Sequence, residues 1–342
     1  MKKLLFNTTF LVAGLLSLSI GYAQQTTNEF EKGKDRVEPK FKKTKNYTKS
    51  YSLSSSDKIS LYNQFGEMKI TTWDKNEVKV DATITGKSDD EPRAQEILDR
   101  ISIQDSKEGG TVSFKTKFAD DKKEDKRNWD NKEHRNEGMQ IDYVVYLPSN
   151  NALTAENQFG KMIVPDIRGE AVLTSKFGSL TAGKISNAKE VSVEFGKADI
   201  AEVGGGKLSI KFSNGTVNKL TGEVRANLEF SKVKLNIDNN AKNLTINNSY
   251  AEVYLDLDKS FSATYDITSS HGEFSNQSSF TFTKQGEDKN HYGPEFTKRY
   301  TGTSGSGSSK VKISSSFGEI IAGHDLKVDM TEKKKNKKTR TV

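Results

Sequence analysis

The sequence predicts an all-β protein, a parallel β-helix or β-solenoid built of coils of about 18 residues, with one short helix near 91–101. Three observations carry this. An aromatic residue followed by Gly recurs at Phe65-Gly66, Phe159-Gly160, Phe177-Gly178, Phe195-Gly196 and Phe317-Gly318, with looser copies at Phe212-Ser213, Phe230-Ser231, Tyr250-Ala251 and His271-Gly272. From 159 to 230 the steps are 18, 18, 17 and 18 residues, the fixed period of a stacked-repeat architecture. Apolar or small residues alternate by two on both sides of the aromatic, as in Leu208 and Ile210 before Phe212 or Leu180 and Ala182 after Phe177. That is the pattern of strands with one buried face.

The alternation slips by one just after the aromatic. Gly at that point fits a corner, because it takes backbone angles that other residues avoid. Each repeat then reads as strand, tight corner, strand and return turn. At about 3.3 Å per residue its perimeter is roughly 60 Å, enough for a flat two-sided coil. Stacking such coils sets each aromatic above the last, and an internal ladder packing the core is the expectation; the alternative is an exposed row that binds sugar or peptide. Right-handed winding is the default for parallel crossovers.

The first residues read as a secretory signal peptide over 1–23. Lys2 and Lys3 precede an apolar stretch from Leu4 to Ile20, and Gly21 and Ala23 are small residues at the cleavage positions. Residues 24–45 are polar and charged and read as a flexible leader. The solenoid is expected over 46–325. Within it, Glu77 to Thr85 alternates as a strand, Glu91 to Ile101 is the helix with Pro92 in its first turn and Ile97, Leu98 and Ile101 on one face, and Thr111 to Phe118 and Met139 to Pro148 are strands. The regular repeat runs from Leu153 to Leu257 and continues more loosely through Tyr265, Ile267 and Phe274. Two charged stretches, 119–138 and 285–309, are expected to be loops, the first carrying Trp129. Lys310 to Leu326 supplies a last repeat expected to cap the stack, and 326–342 is expected to be a basic, disordered tail.

Composition excludes several functions. The formal charge of +7 is local: Lys2 and Lys3 lie in the signal segment 1–23 and six basic residues lie in 333–340, which leaves −1 over residues 24–332. A near-neutral body argues against a nucleic-acid partner, while the tail could touch anionic headgroups or polysaccharide as a peripheral contact. With no Cys, thiol chemistry, disulfides and a cysteine-borne lipid anchor are excluded. No later segment approaches the roughly 20 apolar residues of a membrane helix.

No catalytic, cofactor-binding or metal-ligating residue is assigned, and no cofactor is expected. The four His, at 134, 271, 291 and 324, lack metal-ligand spacing. No nucleophile elbow, zinc-protease helix or phosphate-binding loop occurs. Two pairs of acids merit attention. Asp256 and Asp258 share one strand face, and Glu194 and Glu229 both sit just before an aromatic, two rungs apart at about 10 Å, with Lys211 between them. Glycosidase pairs need about 5–9.5 Å, so a cross-rung Glu–Lys–Glu ladder is the better reading.

The order of these segments carries a resemblance. An LYNQFGEMKITTWDKNEVKVDATI opening, a helix, GGTVSFKT, then IDYVVYLPSNNALTAENQFGKMIV and short Phe-Gly coils together resemble the DUF4097 adhesin family of bacterial exported proteins and its GIN-domain relatives. The likeness spans roughly 46–325 and is strongest where Leu147-Pro148 is followed by Asn157-Gln158-Phe159-Gly160. It implies a β-solenoid and an exported location, and offers no catalytic residues to carry over. The expected function is a non-enzymatic, adhesin-like binding or scaffolding module of the cell envelope, in the periplasm or at the surface, with a glycan or an envelope protein as partner. The rivals are a carbohydrate-active β-helix enzyme and a periplasmic signalling protein that captures its partner through loop 119–138.

Overall fold

Two strands that meet at a sharp corner make each rung, and the apolar residues of both strands face each other across the rung. The computed structural model describes residues 38–119, 136–286 and 296–330. The chain divides into two units, Met1–Glu38 and Pro39–Val342, and every element below belongs to the second.

The chain opens with β1 (Phe41–Ser52), β2 (Lys58–Gln64), β3 (Met68–Thr72), β4 (Glu77–Ser88) and the helix α1 (Glu91–Asp99). Strands β5 (Ile101–Glu108), β6 (Thr111–Phe118), β7 (Glu137–Leu147), β8 (Ala152–Gln158), β9 (Lys161–Val164) and β10 (Ile167–Lys176) follow. Four long strands bend through the return turns: β11 (Ser179–Glu194), β12 (Lys197–Lys211), β13 (Asn214–Glu229) and β14 (Lys232–Ser249). The chain ends with β15 (Glu252–Leu257), β16 (Ala263–Ser270), β17 (Glu273–Gln277), β18 (Phe282–Gln285), β19 (Thr297–Ser304), β20 (Ser309–Ser316) and β21 (Glu319–Gly323).

The strands form two walls. The wall before the corner runs β5, β6, β2, β8, β10, the second halves of β11 to β14, then β20, β16, β19 and β18. The wall after the corner runs β1, β4, β7, β3, β9, the first halves of β11 to β14, then β15, β21 and β17. Pairing is parallel through the middle and antiparallel only at the ends. Like residues stack on like, with Leu173 beside Val191 and Val191 beside Leu208. Between the walls the apolar side chains are almost fully buried, from Ile59 and Leu61 at one end to Ile313 and Ile320 at the other. This is the all-β solenoid that the period predicts.

Rung order departs from chain order at both ends. β20 and β21, expected to cap the stack, lie inside it: β20 pairs with β14 on one side and β16 on the other, and β21 sits between β15 and β17. The antiparallel β18–β19 hairpin caps that end instead. At the other end β2 lies between β6 and β8.

Other boundaries also shift. The expected flexible leader, 24–45, gives way at Phe41 to β1, which pairs along its whole length with β4. Tyr47 and Tyr51 face inward from that strand, and Lys43, Lys45 and Lys49 alternate on the same face, with Lys43 Nζ on Glu91 of α1. Lysines along an edge strand deter further pairing. Helix α1 ends at Asp99 rather than 101, because Ile101 already pairs with Phe118 in β5–β6. Of the expected loop 119–138, residues 137 and 138 belong to β7, while 120–135, with Trp129, lie outside the described residues. Of the expected loop 285–309, Thr297–Ser304 is strand β19 and Ser309 opens β20; 287–295 lie outside the described residues. Residues 326–330 of the expected disordered tail are placed against the rungs. Lys234 Nζ donates to the Leu326 carbonyl at 2.6 Å, Lys232 Nζ to that of Asp329 at 2.7 Å and Asn214 Nδ2 to that of Met330 at 3.2 Å. Residues 326–330 therefore run back across the rungs as a strap, and 331–342 lie outside the described residues.

One carboxylate ties the two walls together at the end nearest β1. Tyr47 donates its hydroxyl to Asp105 Oδ1 at 2.6 Å, and Tyr51 donates to Oδ2. Burial pushes the Asp105 carboxyl up, but the two tyrosine hydroxyls outweigh it and hold the group below its ordinary 3.8. A depressed folded-state value means stabilisation that is present above the unfolded pKa and is lost as pH falls through the folded one. Melting temperature is therefore expected to fall more steeply below pH 3.8 in the wild type than in Asp105→Asn, which has no charge to lose there. Parallel slopes in scanning calorimetry would refute the clamp.

Candidate functional site

The corner residue, and not the glycine after it, adopts the left-handed conformation. Phe65, Phe159, Phe177, Phe195, Phe212, Phe230, Tyr250, His271 and Phe317 all have φ between 49° and 61°. Bulky side chains pay about 1–2 kcal/mol there. The following Gly is needed for a different reason. A Cβ on Gly160, Gly178 or Gly196 would lie 1.8–1.9 Å from the carbonyl oxygen of the corner glycine one rung below. At these rungs the corner backbone crosses directly over the carbonyl below and leaves no room for a Cβ. Ser213 and Ser231 take the same place with a Cβ and use it: Ser213 Oγ accepts from the Gly196 amide at 2.9 Å, and Ser231 Oγ from that of Ser213 at 3.1 Å.

The left-handed turn points each ring outward. The aromatics expected to pack the core instead form an external ladder, with Phe159 to Phe230, Tyr250 and Phe317 each 45–51% exposed. The slip in alternation explains the reversal, since the corner residue belongs to neither wall. In space the ladder runs Phe65, Phe159, Phe177, Phe195, Phe212, Phe230, Tyr250, Phe317, His271 and Phe296. Neighbouring centroids lie 4.7–5.0 Å apart, and the rings are within 21° of parallel. Nine such steps give a ridge of about 44 Å at the inter-strand spacing of a sheet. Aromatic pairs return about 0.5–1.5 kcal/mol each, which offsets the backbone strain. Each inner ring has both faces covered by its neighbours, so solvent meets ring edges only. Phe118 closes the Phe65 end edge-on, with centroids 5.9 Å apart.

A groove of about 470 Å³ follows the ridge on the side after the corner, lined by Phe230, Tyr250 and Phe317 with Lys232, Glu252 and Glu319. The strap over 326–330 reaches the same groove through Asn214 and Lys232. Beneath the ladder ends lies a buried polar layer. Asn63 Nδ2 donates to the Ile141 carbonyl at 2.9 Å and to Asn157 Oδ1 at 3.1 Å, and Thr116 Oγ1 donates to Asn63 Oδ1 at 2.9 Å. Tyr143 shares a 2.9 Å bond with Thr116, and burial pushes its hydroxyl up to about 12. At the far end Asn248 bridges Ala251 and Ser315. These residues lie two before the corner, where the mid-stack rungs carry Val193, Ile210 and Leu228. A buried Asn two residues before an aromatic was the sequence signal for this layer.

The candidate acids do not converge. Glu194, Lys211 and Glu229 stand in register on successive rungs, and Lys211 Nζ lies 2.9 Å from Glu229. Asp256 is paired with Lys234 at 2.8 Å, while Asp258 accepts from the Ser260 amide at 2.8 Å and hydroxyl at 2.7 Å. Asp238, Asp256, Asp258 and Asp325 line a second depression together with Lys219 and Lys259, and each acid has a cation or a donor of its own. Among the described residues no three His, Asp or Glu are placed to hold a metal. His271 is a rung of the ladder, and His324 Nδ1 lies 2.7 Å from the Leu257 carbonyl oxygen; His134 and His291 lie outside the described residues. Among the described residues no helix is long and apolar enough to cross a membrane.

No family model and no curated protein matches this chain. Solved structures with similar strand arrangements include one named as an adhesin from Bacteroides fragilis, at 12% identity and TM-score 0.34 over 81% of this chain and 97% of that one. One named for lipid binding from Parabacteroides distasonis has 13% identity and TM-score 0.32 over 81% and 96%. One named for cell adhesion from Clostridium sporogenes has 13% identity and TM-score 0.24 over 82% and 100%. At such low scores and identities they assign nothing to this chain.

Proposed function

We propose that this chain is a non-enzymatic, adhesin-like binding module of the bacterial cell envelope, exported through residues 1–23 and related to the DUF4097 type. The observation that carries the reading is the external aromatic ladder. A contiguous apolar ridge rimmed by Lys and Glu is the form of an interaction surface, and monomeric soluble proteins rarely leave one open. Strained corners retained at every rung point the same way. The paired state of Lys211–Glu229 and Lys234–Asp256 supports a non-catalytic role for those acids. Of the two partner classes the ridge fits protein better than glycan, because a sugar stacks on a ring face and here only edges are offered.

The test is an array of glycans and of peptides rich in aromatic and aliphatic residues, with soluble products read by mass spectrometry. Peptide retention without product is expected. Phe177→Asn combined with Phe195→Asn is expected to reduce retention about tenfold while the fold persists, because Asn accepts left-handed angles. Product release would overturn the non-enzymatic reading, and retention unchanged by the double substitution would remove the ladder from the binding face.

A further inference from the structure

We infer that the partner of the ridge is a second copy of this chain, docked ridge to ridge about a two-fold axis that passes between the Phe212 and Phe230 rungs. This rests on the reading of the ladder as the binding face and goes beyond it by naming the occupant. The argument comes from the charges that border the ladder. Two residues beyond each corner, in rung order, stand Glu67, Lys161, Ser179, Lys197, Asn214, Lys232, Glu252, Glu319 and Glu273. The border is therefore basic over its middle and acidic at both ends, with one Glu at the Phe65 end and three at the other. At that end Glu252 is level with Glu319, and Glu319 with Glu273.

A two-fold axis perpendicular to the ridge turns this border against itself in reverse, which is the isologous arrangement. Centred between Phe212 and Phe230, it sets Lys197 of one copy opposite Glu252 of the other, Lys161 opposite Glu273, Ser179 opposite Glu319 and Asn214 opposite Lys232. On the other border, one residue before each corner, the same axis sets Lys211 opposite Glu229, Lys176 opposite Ser316 and Glu194 opposite Ser249. No like charges meet. Moving the axis half a rung interval either way, to the next registers that keep rung facing rung, sets Lys211 against Lys211 and Lys197 against Lys232, or Lys232 against Lys232 and Glu229 against Glu229. A parallel docking sets Lys197 and Lys232 against Glu194 and Glu229, but faces Glu252, Glu319 and Glu273 with Ser249, Ser316 and Ser270. The ridges themselves match, since both repeat at 4.7–5.0 Å. Electrostatic complementarity of this kind fixes register and partner.

The test is sedimentation equilibrium of the purified protein, processed as it is in the cell, with two charge-reversed variants. Variant one carries Lys161→Glu and Lys197→Glu; variant two carries Glu252→Lys and Glu273→Lys. Each alone brings like charges together at four places in the dimer, and its dissociation constant is expected to rise about tenfold or more. An equimolar mixture restores every pair, and a heterodimer of near wild-type affinity is expected. Circular dichroism and melting confirm that both variants fold. A wild type that stays monomeric overturns the inference; if it still retains peptides through the ladder, the proposed function stands. Variant two dimerising like the wild type, or a mixture that fails to associate, overturns the antiparallel register.

Discussion

Gly178→Ala lowers stability by about 3 kcal/mol or more, one of the two largest single effects expected in this chain. The added Cβ would stand 1.9 Å from the Gly160 carbonyl oxygen, 2.8 Å from its carbonyl carbon and 3.0 Å from its amide nitrogen. All three atoms are backbone, so no rotamer change relieves the contact. The corner backbone must shift, and shifting it disturbs the Ser179 amide bond to the Gly160 carbonyl, already 3.3 Å, along with the neighbouring ladder bonds. The control is Gly138→Ala, where the nearest atom to an added Cβ is 4.0 Å away and no melting shift is expected. Ser213→Ala should also be mild, costing about 1 kcal/mol for the bond its hydroxyl accepts from Gly196. Thermal denaturation of the three variants decides the matter. If Gly178→Ala melts with the controls, the corner glycine is not set by close approach.

The second large effect is Asn63→Leu. Leucine suits the position sterically, for Leu228 occupies its equivalent in mid-stack. The cost is polar. Asn63 is fully buried, and its amide serves the Ile141 carbonyl and Asn157 Oδ1 while its own oxygen takes the Thr116 hydroxyl. Each buried group left without a partner costs about 1–3 kcal/mol. A loss of about 3 kcal/mol is expected, which for a unit of this size lowers the midpoint by about 5 °C. Leu228→Asn places an amide where no donor or acceptor waits and should be at least as damaging. A neutral Asn63→Leu in urea titration would show that the network contributes no stability.

The rung period was legible because every coil repeats the same packing problem, and the same apolar spacing solves it from Leu153 to Leu257. The orientation of the aromatics was not. Whether a pivot residue points in or out depends on the sign of its φ, and alternation carries no information about a residue that belongs to neither wall. Glycine at the next position invited the wrong assignment of the left-handed angle, while its real constraint, the carbonyl one rung below, lies 18 residues away in the chain. β1 was hidden by composition: its lysines look like a solvated leader although most share a face with Tyr47 and Tyr51, and only those two tyrosines betray an inner side. Asn63, Asn157 and Asn248 stood in plain view at one register position, yet a polar residue inside an apolar template reads as an exception until its partners are placed. The bordering charges of the ladder were equally visible, but they form a pattern only once Phe317 is known to stack between Tyr250 and His271.

The placement of β20 and β21 bears on how such a molecule comes to exist. A simple stack can grow from one end, each coil settling on a finished predecessor as the chain emerges. Here β16 and β17 lack their inner neighbours until residues near 323 arrive, because the rung beneath them is the last to be made. At the opposite end β2 likewise waits for β8. Growth proceeds outward from the middle, and each end closes like a latch. A chain cut short after residue 304 would lack an inner layer, not a terminal one, so a truncated copy would be an incomplete body and not a shorter stack.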